Sequence, residues 1–460
     1  MHYEKFVDGS VKCIEDEIPF ELPEGWAWAR IYSITEDLSY GTAKKSLPKG
    51  LVAVLRMGNI QSGEIDYSDL VYSSDINDIE KYTLVKNDLL FNRTNSAEWV
   101  GKTAIYRGNM PAIYAGYLIR VRTFINPEYL NVVMNSGYAK IYCNLVKTDG
   151  VNQSNINAQK LGNFLVPIPS IDEQKRISSS IIKIISRVSL IREEKEYIVD
   201  LIQQTKTKIL DLAIRGQLVP QNPDDEPASV LLERIRAEKE ELIKQGKIKR
   251  DKKESIIFKG EDNSYYLKSG DLVESLGEWT FEALPDSWSV CCLGELCDYG
   301  NCINVDTANI DDSAWMLALE DIEKDTGIVL QKIRKAERNA ASTKHLFHKG
   351  QVLYSKLRPY LNKVVLADED GYCTPEILPL EFERNILPKY ARYYLMSPAF
   401  LGYANKCSYG VKMPRLGTAD GKKAIISVPP LNEQKRIVSV IEQALAQLEG
   451  VSQSLCKPSN

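Results

Sequence analysis

Asn126, Pro127, Glu128 and Tyr129 form the string in this 460-residue chain that comes nearest to covalent chemistry. An Asn-Pro-x-aromatic loop is the means by which adenine methyltransferases hold a target amino group. A second copy of the surrounding sequence argues against that use, because it carries Leu387-Pro388-Lys389-Tyr390 at the equivalent place. There the amide is gone while the proline and tyrosine remain, as the start of a short helix requires. Elsewhere no GxxxxGK[ST], no HExxH and no glycine-rich cofactor loop occurs, and His2, His345 and His348 pair with no nucleophile in a familiar pattern. The chain is expected to perform no covalent chemistry and to need no cofactor.

Non-covalent recognition has better material. Between Val329 and Lys363 stand Lys332, Arg334, Lys335, Arg338, Lys344, Lys349, Lys356, Arg358 and Lys363, with Glu337 the one acid. Tyr354 and Tyr360 are interleaved, a pattern that suits a surface tracking phosphates, although a solvated basic surface would look the same. In the first copy Arg93, Thr94, Asn95 and Lys102 hold the matching place, poorer in charge and richer in amide and hydroxyl groups able to address base edges. A second repeated stretch, 149–157 and 409–415, offers Gln153 and Asn155 for adenine edges, and Lys412 and Arg415 for guanine or phosphate. An Asn-rich turn can equally be only a turn.

Bulk properties place any such surface locally. The formal net charge is −4, so the chain as a whole gives no sign of a nucleic-acid binder. Nine cysteines, with no apolar signal segment at MHYEKFVDGSVK, suggest reduced thiols and a cytosolic protein. Cys291, Cys292, Cys297 and Cys302 crowd together, but without paired CxxC spacing they do not suggest zinc. Lys183 and Arg187 interrupt the most apolar helix, so no membrane partner is expected.

The elements that must position these groups are two helices. From Asp172 to Gly216, Ile177, Ile181, Ile184, Val188, Ile191, Ile198, Ile202, Ile209 and Leu212, with Lys195 and Thr205 filling the two gaps, fall on alternating four- and three-residue steps, a heptad seam that calls for a partner helix. Its start, VPIPSIDEQKRI (166–177), returns as ISVPPLNEQKRI (426–437), and Ile437, Ile441, Ala444, Leu448 and Val451 continue the same spacing. The repeat reaches further. Phe20-Glu21-Leu22-Pro23 with Trp26 reappears as Phe281-Glu282-Ala283-Leu284-Pro285 with Trp288, and LVKNDLLFNR (84–93) as LFHKGQVLYSK (346–356), a turn followed by a buried strand.

These repeats divide the chain into a linker tail (1–19), a first domain (20–168), a long central helix (169–216), an acidic turn with a charged helix over 229–253 and a linker (217–280), a second domain (281–428) and a short distal helix (429–460). Each globular domain mixes short strands with short helices, which is α+β.

The repeated P-x-x-[DN]-EQKRI helix start, the string ILDLAIRGQLVPQNPDDEPASVLLERIRAEKE (209–240) and LPEGWAWARI (22–31) resemble the specificity subunit of Type I restriction-modification enzymes. That resemblance implies two target recognition domains held apart by an antiparallel two-helix coiled coil with pseudo-twofold symmetry. It also implies one half of a split double-stranded DNA site for each domain, with methyltransferase and restriction subunits as partners. Larger partners could then supply much of the phosphate contact, which reconciles DNA binding with the mildly acidic charge. The second helix, reaching only Asn460, is much shorter than the first, a departure that bears on how fully the coil is paired. The alternative is a coiled-coil scaffold whose globular ends bind proteins.

Overall fold

The structure is a computed structural model describing residues 1–150, 153–247, 255–260, 262, 264–276, 284–338, 342–382 and 386–456. Phe281, Glu282 and Ala283 of the second lead-in, Val151 and Asn152 of the first Asn-rich loop, and 457–460 of the distal helix lie outside the described residues. The chain divides into two compact units, Met1–Glu193 and Glu194–Asn460.

The first unit is built on a six-stranded sheet. Its order is Thr35–Tyr40, Leu118–Thr123, Leu89–Asn92, Thr103–Ile105, Glu64–Ile65 and Ile60–Gln61. Leu89–Asn92 is buried at all four positions, as an apolar run entered through the left-handed Asn87 should be. One core gathers Ile31, Phe91, Ile119, Leu130 and Phe164, and a second Leu55, Leu90, Ala104 and Tyr114. Opposite faces of the same strand feed them, since successive side chains point to opposite sides.

In the second unit the matching strand Val352–Ser355 is again wholly buried, now between Val364–Leu366 and Ile377–Leu380, after a turn at Gly350 with φ +93°. A four-stranded sheet of Ile303–Val305, Lys344–Phe347, Gly371–Cys373 and Trp315–Leu317 stands in the same unit. Both units are therefore α+β.

In both units the first strand of the repeat pairs antiparallel with its last. Ala27–Arg30 lies along Leu165–Ile168, and Ser289–Cys292 along Ile425–Val428. The repeated glutamine then docks the helix that follows. Gln174, 2% exposed, accepts from the Asn126 amide at 3.0 Å and donates to the Pro169 carbonyl at 2.9 Å. Gln434, 0% exposed, accepts from the Leu387 amide at 2.8 Å and donates to the Pro429 carbonyl at 3.1 Å. A buried amide that satisfies backbone groups on two elements fixes the angle between them, and removing it would leave those groups unpaired.

The long helix is Ile171–Ile214 and the distal helix Leu431–Cys456. Within the second unit they run antiparallel. Ser427 Oγ donates to the Ile214 carbonyl at 2.7 Å at one end, and Lys206 meets Glu449 at 3.6 Å at the other. Ile437 and Ile441 share a core there with Leu210, Ala213 and Ile214.

The seam is not covered along the whole long helix, in keeping with the expectation that the shorter second helix limits the pairing of the coil. Ile184, Val188 and Ile191 are 59%, 52% and 63% exposed. At 1.5 Å per residue the 26-residue distal helix is far shorter than the 44-residue helix it lies against.

Two corrections concern the segments read as linkers. Within 1–19 a hairpin pairs Tyr3–Lys5 with Val11–Cys13, turning at Asp8-Gly9 with Gly9 at φ +86°. Three strands, Ser255–Lys259, Tyr265–Ser269 and Leu272–Ser275, occupy part of 217–280. The charged helix is also shorter than expected. It runs Ala228–Lys244 and stops before Gly246, at φ +70°, while Leu231, Leu232 and Ile235 bury one face in the core of the second unit; 248–253 of the expected span lie outside the described residues.

Gly216 closes the long helix at φ +69°, with the Gln217 amide bonded back to the Leu212 carbonyl at 3.0 Å. A Cβ there would lie 2.5 Å from Pro285 Cγ. Gly216→Ala is expected to cost on the order of 1–3 kcal/mol for the left-handed backbone alone, and more for the clash. A melting curve should show the midpoint of the second unit lowered by several degrees.

Candidate nucleic-acid interface

The Asn-Pro-Glu-Tyr string is a helix start. Asn126 Oδ1 caps the Tyr129 amide at 3.0 Å, Pro127 occupies the first turn, and Tyr129 Oη donates to the Pro167 carbonyl at 2.7 Å. In the second unit Tyr390 Oη donates to the Ser427 carbonyl at 2.9 Å, although Leu387 gives no side-chain cap. The tyrosine persists because it ties this helix to the last strand. Asn126 acts as the cap of this helix.

The residues singled out for recognition come together in the first unit. Thr94–Asn95 pairs antiparallel with Ser154–Asn155, which pairs in turn with Thr148–Asp149. The stretch after the buried strand and the Asn-rich loop are thus one three-stranded ladder. The Arg93 guanidinium lies 4.6 Å from the centre of the Tyr40 ring and donates to Asn155 Oδ1 at 3.2 Å. Asn155 Nδ2 donates to Thr94 Oγ1 at 2.7 Å. Each of these groups keeps hydrogen-bonding capacity beyond those bonds. Gln153 is exposed at the turn, and Asn95 is half-buried. Lys102 stands apart on the Trp99 ring, its Nζ 3.6 Å from the centre, and burial holds its ammonium below its ordinary pKa.

The second unit repeats the ladder with other side chains. Leu357 and Tyr409 both bridge to Arg415, as Thr94 and Thr148 both pair with Asn155. The backbone bonds match: Ile156 N to Arg93 O at 2.9 Å, and Leu416 N to Lys356 O at 3.0 Å. Where the first unit sets an amide, the second sets Arg415, ion-paired to Glu376 at 2.8 Å, and that carboxylate raises the guanidinium's pKa. Lys412 is exposed at the tip between Val411 and Met413. Arg358 is half-buried beside Pro414, whose carbonyl accepts from its amide at 2.7 Å, and Tyr360 is exposed. Lys363 faces away from this group, donating to the Leu319 carbonyl at 2.7 Å, and burial lowers its pKa.

The basic run is less basic in space than in sequence. Lys332 pairs with Asp368 at 2.7 Å, Arg334 with Glu369 at 2.7 Å, Lys335 with Asp312 at 3.0 Å and Arg338 with the fully buried Asp321 at 2.7 Å. Lys344 is buried. Lys349, Lys356, Arg358 and Lys412 have no carboxylate within ion-pair distance among the described residues. Counting charges along the chain overlooks acids brought in from 312–321 and 368–370.

Cys291, Cys292 and Cys297 pack in the core of the second unit, where burial pushes the Cys291 thiol up, and no disulfide joins the described cysteines. No described helix is long and apolar enough to cross a membrane.

Two α+β units, each presenting one polar ladder beside a buried strand, define a repeated recognition module. Comparison with known proteins gives its family: the chain belongs to the Type I restriction modification DNA specificity domain family, which matches it twice, at 31–199 and 285–453. By that membership its two matched stretches are DNA specificity domains.

Among curated relatives, the protein named as the MjaX type I restriction enzyme specificity subunit of Methanocaldococcus jannaschii is 34% identical over 165 residues, covering 34% of this chain and 39% of its own. The EcoDI specificity subunit of Escherichia coli is 23% identical over 357 residues, 76% of this chain and 69% of its own. The EcoAI specificity subunit of the same organism is 28% identical over 341 residues, 62% and 53%. The matched stretches thus span from 39% to 69% of these relatives' lengths. A chain from a solved type I R-M system shares the fold at TM-score 0.58 and 16% identity, covering 95% of this chain and 94% of that one. The HsdS subunit of Thermoanaerobacter tengcongensis does so at 0.51 and 16%, covering 95% and 93%.

Proposed function

We propose that this chain is the DNA sequence-specificity subunit of a Type I restriction-modification complex. Its recognition domains, 20–168 and 281–428, each bind one half of an asymmetric, bipartite double-stranded site. The single observation that carries this reading is the ladder built twice on one backbone plan and furnished differently. Asn95, Gln153 and Asn155 present amides in the first unit, with the Thr94 hydroxyl buried behind Asn155, whereas Lys356, Arg358, Lys412 and Arg415 present cations in the second. A shared frame with unlike side chains is what reading two different half-sites requires.

In this proposal the long and distal helices form an antiparallel coiled coil that relates the two domains by a pseudo-twofold. Methyltransferase and restriction subunits dock along it and do the chemistry. The exposed Ile184, Val188 and Ile191 support a protein partner on the long helix.

The same apolar face also fits a scaffold whose globular ends bind proteins, and duplex DNA separates the two. A specificity subunit assembled with its methyltransferase is retained on immobilised duplex and released as salt rises, with a log–log slope of several units. Passage through that column at low salt, with protein partners still bound, would favour the scaffold.

A further inference from the structure

Both units carry a large exposed aromatic side chain in the same connection, the one that leaves the buried strand and returns to its neighbour. In the first unit this is Trp99, 45% exposed, between Arg93 and Lys102. In the second it is Tyr360, 50% exposed, between Lys356 and Lys363. The other exposed aromatics beside the ladders do not recur. Tyr117, whose carbonyl accepts from the Arg93 amide, is replaced by Glu376, which does the same for Lys356, and Tyr409 stands where the first unit has Thr148.

Each of the two is held out on a constrained turn. Tyr360 sits on a single helical turn, Pro359–Leu361, bounded by Arg358 at φ 50°, ψ 63° and Asn362 at φ 48°, ψ 52°. Both flanking residues are left-handed, a conformation that non-glycine residues adopt only when their surroundings impose it. Arg358 is fixed through its amide to Pro414, and Asn362 donates its side-chain amide to the Met396 carbonyl at 3.1 Å. Trp99 lies on a turn closed by its own amide and that of Val100 on the Ser96 carbonyl, at 3.0 and 3.1 Å. That turn is pinned by Gly101 at φ +96°, where a Cβ would come within 2.7 Å of Cys143 Sγ. Lys102 covers the Trp99 ring at 3.6 Å, placing a cation beside the aromatic surface.

A rigid turn that holds an aromatic ring in solvent next to cations and amides keeps apolar area exposed for a planar partner. Nucleobases are such partners: each presents a π-face, and stacking tolerates any base identity. We infer that Trp99 and Tyr360 are stacking wedges, each inserted at one base step of its own half-site and partly unstacking it, an inference that rests on the DNA-recognition reading above. Insertion of apolar side chains kinks a duplex locally, so each unit would also sense how readily its half-site opens.

The test uses the full chain assembled with its methyltransferase and a duplex carrying the motif found by modified-base sequencing of the host genome. 2-Aminopurine is placed at each position in turn. With the wild-type protein, fluorescence should rise at one step in each half-site. Trp99→Ala should abolish the rise in one half only and Tyr360→Ala in the other, each weakening binding by about tenfold or more. Trp99→Phe and Tyr360→Phe should keep most of both effects. Both side chains are exposed, so melting curves of the variants should overlay the wild type. Tight wild-type binding with unchanged affinity and fluorescence in both alanine variants would overturn the wedges and leave the recognition reading standing. Failure of the wild-type assembly to bind the duplex at all would overturn both.

Discussion

Replacing residues 281–428 with the matching segment of a relative of different specificity will change one half of the recognised site and leave the other unaltered. The second unit closes its own domain through Ser289–Cys292 paired with Ile425–Val428, and carries its own ladder at Leu357, Tyr409 and Arg415. What must be matched in the graft is the docking of Gln434 on the Leu387 amide and the Pro429 carbonyl, together with the core shared by Trp288, Ile437 and Ile441. A mismatched base pair costs about 1–3 kcal/mol, so a half-site differing at two or three positions should lower affinity for the original duplex by at least about thirtyfold. Affinity should return on a hybrid duplex. Selection from a randomised duplex pool reads the outcome directly, and a change in both halves would mean that the two domains are not independent readers.

The second large effect is electrostatic. Lys356→Ala with Arg358→Ala should reduce the slope of log K against log salt by about two, roughly 0.9 for each phosphate that is no longer neutralised. Lys332→Ala with Arg334→Ala removes the same formal charge from the same basic run and should leave the slope nearly unchanged. Those two cations already face Asp368 and Glu369, whereas Lys356 and Arg358 have no carboxylate partner among the described residues. Equal slopes for the two double variants would place the Lys356–Arg358 corner outside the interface.

Which parts of this architecture are legible in the sequence follows from what each part depends on. The EQKRI helix starts are local: a proline-containing approach and a buried glutamine recur together because the glutamine bonds the equivalent pair of backbone groups in each copy. The buried strands 89–92 and 352–355 announce themselves as short apolar runs after a turn residue. The hairpin at 1–19 is also announced, by Asp8-Gly9 between short runs of Tyr, Val and Lys, but its lack of a hydrophobic stripe makes it resemble a linker.

The candidate site divides in the same way. Arg93, Asn155, Lys356 and Arg415 can be singled out by residue type. That the two stretches of each copy form one ladder depends on a register between segments some sixty residues apart, which no local pattern encodes. The paired state of Lys332, Arg334, Lys335 and Arg338 likewise depends on acids distant in the chain, and the inward turn of Lys363 on a carbonyl at Leu319. Charge density along a sequence is a reliable guide to a surface only where folding brings no counter-charge to it.

Two unlike readers on one chain should recognise two separate tracts of duplex DNA. The most direct measurement of this is selection of bound duplexes from a fully randomised pool by the wild-type chain assembled with its methyltransferase, followed by sequencing. The expected result is two fixed tracts of different sequence, separated by a spacer of constant length and unconstrained composition. Enrichment of one contiguous tract, of two identical tracts, or of no sequence at all would contradict it.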